Sequence, residues 1–321
     1  MTWVYEQIRL SFRIGNRTLG QSRLMGINCH EHISRLDVRS SLEPPLESLR
    51  SHRATLARLP TCPTDRKLPV LSRVGQGYYR YVVKQFPHFL TTTAIDFDHW
   101  LSTTLSRNAR KKYRRILRRW RAYCGGELHW REYRGLEQIE TFLPLARSVS
   151  AKTMQHRVLK RGLTEGGRRE ALILETAARN MARGYLLFDG DKPVAFNYGY
   201  LSPGKVLTLE YGGYDPAYRK WSVGSLLDFL VIEAIHQDPE IDMLDFGEGE
   251  GEYKQRFANM RIDAAHVLFF KPTPRNLALV GGHLAISRLS LGLRALLIRF
   301  NLLERAKLLV RPSVPHDIPI V

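Results

Sequence analysis

A cation-rich segment that directly precedes an apolar helix is the first part of this sequence that could do chemistry. It reads RKWSVGS, from Arg219 to Ser225, and apolar residues then recur at helical spacing to about His236. The first N–H groups of a helix lack partners within it and carry a partial positive charge. Gly224 would let a phosphate approach the backbone, and Ser222 could donate a hydrogen bond or cap the helix. The segment predicts a pyrophosphate site, and the alternative is an ordinary N-cap beside solvated cations.

Two carboxylates lie on predicted strands near this segment. Glu210 belongs to the strand-like run VLTLEYGG, where alternation places Tyr211 on the opposite face. Either side chain could face a cleft, and the alternative is that Glu210 is a solvated strand residue. Asp245 ends a buried strand, where desolvation would raise its pKa and suit a general base. Geometry favours a second role for Asp245, in which it accepts N–H bonds from the glycine loop 247–251.

Tyr253 and Lys254 follow that loop at the start of a predicted short helix, in the run EYKQRFA. Lys254 could stabilise developing negative charge or bind a phosphate, and Tyr253 could donate a proton to a leaving group. The loop itself carries three glutamates in the run EGEGE, Glu248 to Glu252, which stands out in a basic protein. This run could face a cationic amine, or it could be a solvated turn.

The most basic element is SRNARKKYRRILRRWR, residues 106–121, which has nine basic residues and no acid. Its apolar residues form a stripe at helical spacing, which predicts an amphipathic helix capped by Ser106. The stripe consists of Ala109, Tyr113, Ile116, Leu117 and Trp120. The basic face could bind RNA, an anionic glycan or lipid headgroups, or it could face water alone.

The elements that would position these groups alternate densely in the middle of the chain. From about residue 167 the patterns give a helix, three strands joined by hairpins, a helix from near Ser222, a buried strand, a short helix and a last strand. This order predicts an α/β fold with a mixed sheet flanked by helices. The composition suggests zones at 1–140, 141–275 and 276–321, the last of which is a Leu- and Arg-rich tail predicted to be helical until Pro312. The Ser-, Pro- and Arg-rich stretch 41–69 predicts a loop or linker.

Composition narrows the class of protein. The net charge is +18, from 49 Lys and Arg against 31 Asp and Glu, so anionic partners or ligands are expected. Three distant cysteines argue against a disulfide framework, and no signal peptide or membrane span is predicted, so we expect a cytoplasmic protein. The run CHEH at 29–32 allows only its two histidines to share a strand face, and no metal is predicted.

Three blocks resemble known families. R-x-x-S-x-G, Arg219 to Gly224, resembles the Q/R-x-x-G-x-G/A loop with which GNAT acyltransferases hold the coenzyme A pyrophosphate. Ser222 replaces the usual glycine, an exchange that ordinary backbone dihedrals would tolerate. LDFGEGEGEYKQRFA, Leu244 to Ala258, and the helix in FDHWLSTTLSRNARKKYRRILRRW resemble blocks of the CelD/BcsL-like acetyltransferases, a GNAT branch related to the FemAB peptidyltransferases. The blocks span roughly residues 78–270.

The resemblance implies a GNAT fold, with the first 140 residues as a second, degenerate GNAT-like half. It implies an acyltransferase that uses acetyl-CoA or another acyl-CoA to modify an amine or hydroxyl of a sugar or cell-envelope polysaccharide precursor. Its candidate catalytic residues are Glu210, Asp245, Tyr253 and Lys254. Its candidate cofactor-binding residues are Arg219, Lys220, Trp221, Ser222, Val223, Gly224 and Ser225.

The sequence leaves two other functional hypotheses open. One is a FemAB-like aminoacyl-tRNA-dependent transferase that uses the basic helix for tRNA. The other is a catalytically silent GNAT-like protein that binds an anionic glycan or the inner face of a membrane through its charge. The predicted phosphate-binding segment favours coenzyme A as the donor, because a tRNA-dependent transferase does not need a site for the coenzyme A pyrophosphate.

Overall fold

The structure, a computed structural model, describes residues 1–15, 17–153, 163 and 166–299. The chain forms two compact units, unit 1 from Met1–Phe86 and Asp263–Val321 and unit 2 from Pro87–Ile262. The zone boundaries near residues 140 and 275 stay a prediction from composition, whereas the compact units divide the chain after Phe86 and after Ile262.

The strands are, in chain order, β1 (Trp3–Ile14), β2 (Arg17–Cys29), β3 (Leu56–Pro63), β4 (Leu71–Arg73), β5 (Tyr79–Thr92), β6 (Trp130–Arg134), β7 (Ala182–Asp189), β8 (Lys192–Ser202), β9 (Val206–Tyr214), β10 (Met243–Glu248) and β11 (Met260–Phe270). The helices are α1 (Val38–Ser41), α2 (Leu46–Ser51), α3 (Phe97–Thr104), α4 (Arg107–Tyr123), α5 (Gly135–Ser150), α6 (Gly167–Ala178), α7 (Val223–Ile235), α8 (Glu252–Phe257) and α9 (Pro274–Arg299).

Unit 1 is a sheet in the order β1-β2-β3-β11-β5, with β4 on β5 and α9 packed against β1. The prediction of a loop over residues 41–69 is wrong, because this stretch contains α2 and the buried strand β3. The prolines in this stretch argued against a strand, because proline has no backbone N–H to donate to a neighbouring strand. The structure accommodates Pro60 at an irregularity of the β3–β11 register, between the pairs Leu59↔Val267 and Cys62↔Ala265.

Unit 2 is a mixed sheet in the order β5-β10-β9-β8-β7-β6, in which β9 and β10 are parallel and their other neighbours antiparallel. One face packs against α3, α4 and α7 through a core that includes Trp100, Trp120 and Leu244. The other face packs against α5 and α6 around Phe142 and Tyr198. The predicted order of helix, hairpins and crossover is confirmed, and so is the α/β fold with a helix-flanked mixed sheet.

Every helix within the described ranges is too short or too polar to cross a bilayer. The predicted helical tail is described as far as Arg299, and the remainder of that prediction lies outside the described residues. The three cysteines are unpaired, as the sequence predicts.

Candidate functional site

The centre of unit 2 contains two parallel strands that separate. β9 and β10 pair through only three residue pairs, the last of which is Asp245↔Thr208. β9 continues to Tyr214 while its other edge stays paired with β8 as far as Ala195↔Tyr214. One edge of β9 beyond Thr208 is therefore not used in the ladder with β10, and its backbone groups can serve an extended ligand.

Glu210 lies at a β-bulge in the open part of β9. The register passes from Tyr198↔Tyr211 to Gly199↔Leu209, which leaves Glu210 as the extra residue. The expectation that Glu210 and Tyr211 point to opposite faces rests on regular alternation, which the bulge interrupts at this position. Tyr211 then stacks on Tyr198 at a ring-centroid distance of 6.1 Å.

Burial raises the pKa of the Glu210 carboxyl, against a hydrogen bond from Tyr211 and the nearby Arg169 cation, which both lower it. Burial, with the carboxylates of Glu210 and Asp245 nearby, also raises the pKa of Tyr200 to about 12. Tyr200 thus lies within electrostatic reach of both predicted acid–base candidates, and sequence reasoning did not select it. A carboxyl with a raised pKa can act as a base near neutral pH.

Asp245 is 5% exposed and has two hydrogen-bond partners on one oxygen. Its Oδ1 lies 2.8 Å from His88 Nε2 and accepts the Gly247 N–H at 2.5 Å. The second bond is the one to the glycine loop that the sequence favours over a base role. His88 comes from β5, and no sequence pattern pairs it with Asp245, because the two positions are neighbours only through strand pairing.

Lys254 bridges the glycine loop from the first turn of α8. Its Nζ donates a 2.8 Å hydrogen bond to the Glu248 carbonyl oxygen. Burial lowers its pKa, against the opposing effect of Asp245 and Glu248. Tyr253, its neighbour, is 46% exposed, and its ring stands edge-on to Phe246. Lys254 and Asp245 therefore hold the two sides of one loop, as their sequence positions suggest.

The segment before α7 has a strained backbone. Ser222 adopts the left-handed conformation, with φ 57° and ψ 37°, and makes no side-chain cap bond. Its dihedrals are therefore not the ordinary ones that the sequence comparison allowed for a serine at this position. The helix begins at Val223, which is fully buried, whereas Gly224 and Ser225, the next two residues of its first turn, are partly exposed.

Gly224 provides a close approach to an aromatic ring. A Cβ at this position would lie 2.9 Å from Tyr214 Cδ1, so the ring of this exposed tyrosine lies over the first turn of α7. Arg219 and Lys220 are exposed, and the Lys220 ammonium lies 5.3 Å from the centroid of the Trp221 ring. Ser225 lies close enough to Tyr113 of α4 to lower the pKa of that tyrosine, against the larger effect of burial, which raises it.

The basic helix α4 has the predicted amphipathic build. Ser106 Oγ accepts the Ala109 N–H at 3.2 Å, and Tyr113, Ile116 and Trp120 are buried, which confirms the cap and the stripe. Most of its basic side chains are exposed. Arg119 differs, because its guanidinium lies 5.2 Å from the Trp221 ring centroid and so contacts the segment before α7.

Sequence reasoning missed Asp228. This residue lies on the inner side of α7, where Asn197 Nδ2 donates a 2.9 Å hydrogen bond to its Oδ1. Burial raises its pKa to about 6 against that bond and the Arg256 cation. A signal existed, since an acid interrupts the apolar run SLLDFLV.

A family model and a solved structure resemble parts of this chain. The family model for the acetyltransferase (GNAT) domain matches residues 107–255, a range that lies within unit 2. The crystal structure of FemX is similar over 87% of this chain and 90% of its own, with a TM-score of 0.52 and 10% identity. The chain thus has a GNAT-like fold similar to that of FemX, and residues 107–255 match the acetyltransferase (GNAT) domain.

Two other structures are similar at lower TM-scores. A conserved protein of unknown function from Bacteroides thetaiotaomicron has a TM-score of 0.47 and 12% identity, over 77% of this chain and 80% of that one. L-PGS from Bacillus licheniformis has a TM-score of 0.44 and 11% identity, over 74% and 75%. A search of curated proteins gave no match. The narrower CelD/BcsL-like resemblance stays a prediction.

Proposed function

We propose that this chain is an acyltransferase that moves an acetyl or other acyl group from coenzyme A to an amine or hydroxyl of a sugar or cell-envelope polysaccharide precursor. The observation that carries the proposal is the separation of β9 from β10 after Thr208. The open edge of β9 leads through Tyr214 towards the first turn of α7. Coenzyme A has matching chemistry, because an amide-containing arm can bind a strand edge and a pyrophosphate can bind a helix N-terminus.

The pyrophosphate would bind at the segment from Arg219 to Ser225. The N–H groups of Val223, Gly224 and Ser225 are the first of α7, and Ser222 gives them no side-chain cap. Arg219 and Lys220 supply charge beside them. The Tyr214 ring over Gly224 would turn away as the donor binds, which its exposure of 37% permits.

The reaction would divide its roles among the candidates on β9, β10 and α8. The acceptor nitrogen or oxygen attacks the acyl carbon, and Glu210 takes the proton that the acceptor loses. Lys254 stabilises the negative charge on the acyl oxygen. The carbon–sulfur bond then breaks and Tyr253 protonates the thiolate, while Asp245 keeps the glycine loop in place. Lys254, which burial makes a weaker base, is suited to that charge because it is only partly hydrated.

The acceptor side would favour a partly cationic substrate. Glu248, Glu250 and Glu252 lie along the loop that Lys254 bridges. These carboxylates would attract an amine in its ammonium form, so amino sugars are the first acceptors to test.

Calorimetric titration of the full chain with acetyl-CoA tests the donor. Binding should weaken several-fold or more in Gly224→Asp, because a negative side chain would stand where phosphate charge binds. Gly224→Ala is the matched control, since it adds the same Cβ near Tyr214 without a charge. Equal affinity in Gly224→Asp and Gly224→Ala would place the donor elsewhere. Thiol release in the presence of amino sugars would then identify acceptors.

A second function is an aminoacyl-tRNA-dependent transfer of the FemAB type. The FemX-like fold and the exposed basic face of α4 favour it. Titration with uncharged tRNA in place of acetyl-CoA separates the two functions. A protein that binds tRNA tightly and acetyl-CoA at no concentration would support this alternative. A protein that binds an anionic glycan or anionic vesicles, without turnover of either donor, would support the silent binding protein.

A further inference from the structure

Asp228 lies beside the open edge of β9. Its carboxyl accepts the Asn197 side-chain amide, and Asn197 pairs with Gly212 in the β8–β9 ladder, beyond the point where β10 leaves. A Cβ on Gly212 would collide with the Asn197 side-chain oxygen, so the Asn197 amide packs directly on this backbone. Asp228 is five residues beyond Val223, about 7.5 Å along the helix axis. A ligand that runs from the start of α7 along β9 would pass this carboxyl.

The surroundings of Asp228 are polar on three sides. The Asn197 amide of β8 donates to it, and Tyr253 and Arg256 of α8 and Tyr113 of α4 lie within electrostatic reach of its carboxyl. Arg256 Nη1 donates a 3.2 Å hydrogen bond to the Tyr113 hydroxyl. A carboxylate has about four acceptor sites. The bond from Asn197 occupies one of them, which leaves acceptor capacity towards a ligand.

We propose that Asp228 is a donor-binding residue, whose ionised carboxyl accepts a hydrogen bond from an amide N–H in the arm of an acyl-CoA donor. This inference rests on the proposed function, since it takes acyl-CoA as the donor. It assigns to α7 a second contact besides its N-terminus, and it gives a role to the acid that interrupts the apolar run SLLDFLV. An amide N–H bonds more strongly to a carboxylate than to a carboxylic acid.

The assignment makes donor binding depend on protonation. Burial brings the pKa of Asp228 to about 6, and a bond from the donor would favour the ionised form. Below that pH the donor must displace a proton, so its affinity should fall by up to about tenfold for each unit of pH. The terminal phosphate of coenzyme A also titrates near pH 6, so only the difference between parent and variant is informative.

The test measures the Kd of acetyl-CoA for the full chain at pH 5.0 and pH 7.5, for the parent and for Asp228→Asn. The parent should lose at least about fivefold more affinity than Asp228→Asn between the two values, because the variant cannot ionise. Glu233→Gln is the control: Glu233 is also a partly buried acid of α7 with a raised pKa, but its neighbours are Arg121 and Asp98, and it should behave like the parent. Asp228→Ser serves the same comparison if Asp228→Asn does not fold.

The outcomes separate this inference from the proposed function. If Asp228→Asn binds acetyl-CoA more weakly than the parent by the same factor at both pH values, or equally well at both, Asp228 does not have this role. The proposed acyl-CoA site would be unaffected by that result. A parent protein that binds no acetyl-CoA at either pH would overturn both.

Discussion

His88 Nε2 and Asp245 Oδ1 lie 2.8 Å apart, and both side chains are almost fully buried. They belong to neighbouring antiparallel strands, β5 and β10, at the point where β10 continues into the glycine loop. Because the same Asp245 oxygen also accepts the Gly247 N–H, this pair fixes the start of the loop that carries Lys254.

Asp245→Asn should lower stability and activity together. The variant keeps an oxygen for the Gly247 N–H but loses the charge that strengthens both bonds, at a cost of about 1–3 kcal/mol. Urea unfolding and acetyl transfer, measured on the same preparation, test this. A variant of parental stability whose pH–rate profile has lost its acid limb would instead make Asp245 the general base.

Lys254→Met should lower kcat about 100-fold or more while acetyl-CoA affinity stays near the parent value. The variant keeps the length of the side chain and removes the charge, so the hydrogen bond to the Glu248 carbonyl is the structural loss. Thermal unfolding controls for that loss. Parental turnover in Lys254→Met would remove this lysine from the mechanism.

Ser222→Gly should stabilise the protein by about 1 kcal/mol. Ser222 has φ 57°, a region that costs a side-chain-bearing residue about 1–2 kcal/mol and glycine little. The gain is reduced because glycine also makes the unfolded chain more flexible. Denaturant midpoints of the parent, Ser222→Gly and Ser222→Ala measure it. A glycine variant less stable than the alanine variant would contradict the left-handed backbone.

Charge removal on α4 should flatten the salt dependence of binding to an anionic partner. Changing Arg114, Arg115 and Arg118 to Gln removes three cations from the exposed face and leaves Arg119, which contacts Trp221. The slope of log affinity for tRNA or for anionic vesicles against log salt should become shallower, by about one for each phosphate that the variant no longer neutralises. An unchanged slope in a folded variant would mean that the basic face of α4 contacts only solvent. Acetyl-CoA binding should stay near parental.

Asp228→Asn should raise stability at pH 7.5 relative to the parent. The folded-state pKa of Asp228 is about 6, above the ordinary value of 3.8, so the folded protein holds a proton that the unfolded chain has released. This proton stabilises the folded parent fully below about pH 4. The free energy of unfolding of the parent then falls by up to about 3 kcal/mol as the pH rises through 6. Chemical unfolding of parent and variant at pH 4.5 and 7.5 should show the difference growing with pH. A constant difference would mean that Asp228 titrates at its ordinary pKa.

Local patterns were enough for much of the fold. The apolar stripe of α4 has a period of about 3.6 residues, so Tyr113, Ile116 and Trp120 could be assigned to the core without a structure. The hairpins between β7, β8 and β9 follow from turn residues such as Gly190, which has a positive φ. These features depend on residues only a few positions apart in the chain, so they can be predicted without knowledge of the tertiary contacts.

The functional arrangement depends on contacts that the sequence does not encode locally. The sequence by itself determined that cations and a glycine stand at the start of α7, and that Asp245 and Lys254 flank a glycine loop. Only the tertiary structure decided the bulge at Glu210, the end of the β9–β10 ladder at Thr208, and the partners His88 and Asn197. The physical reason is strand register, since a shift of one residue exchanges the two faces of a strand and is set by distant partners rather than by neighbours in the chain.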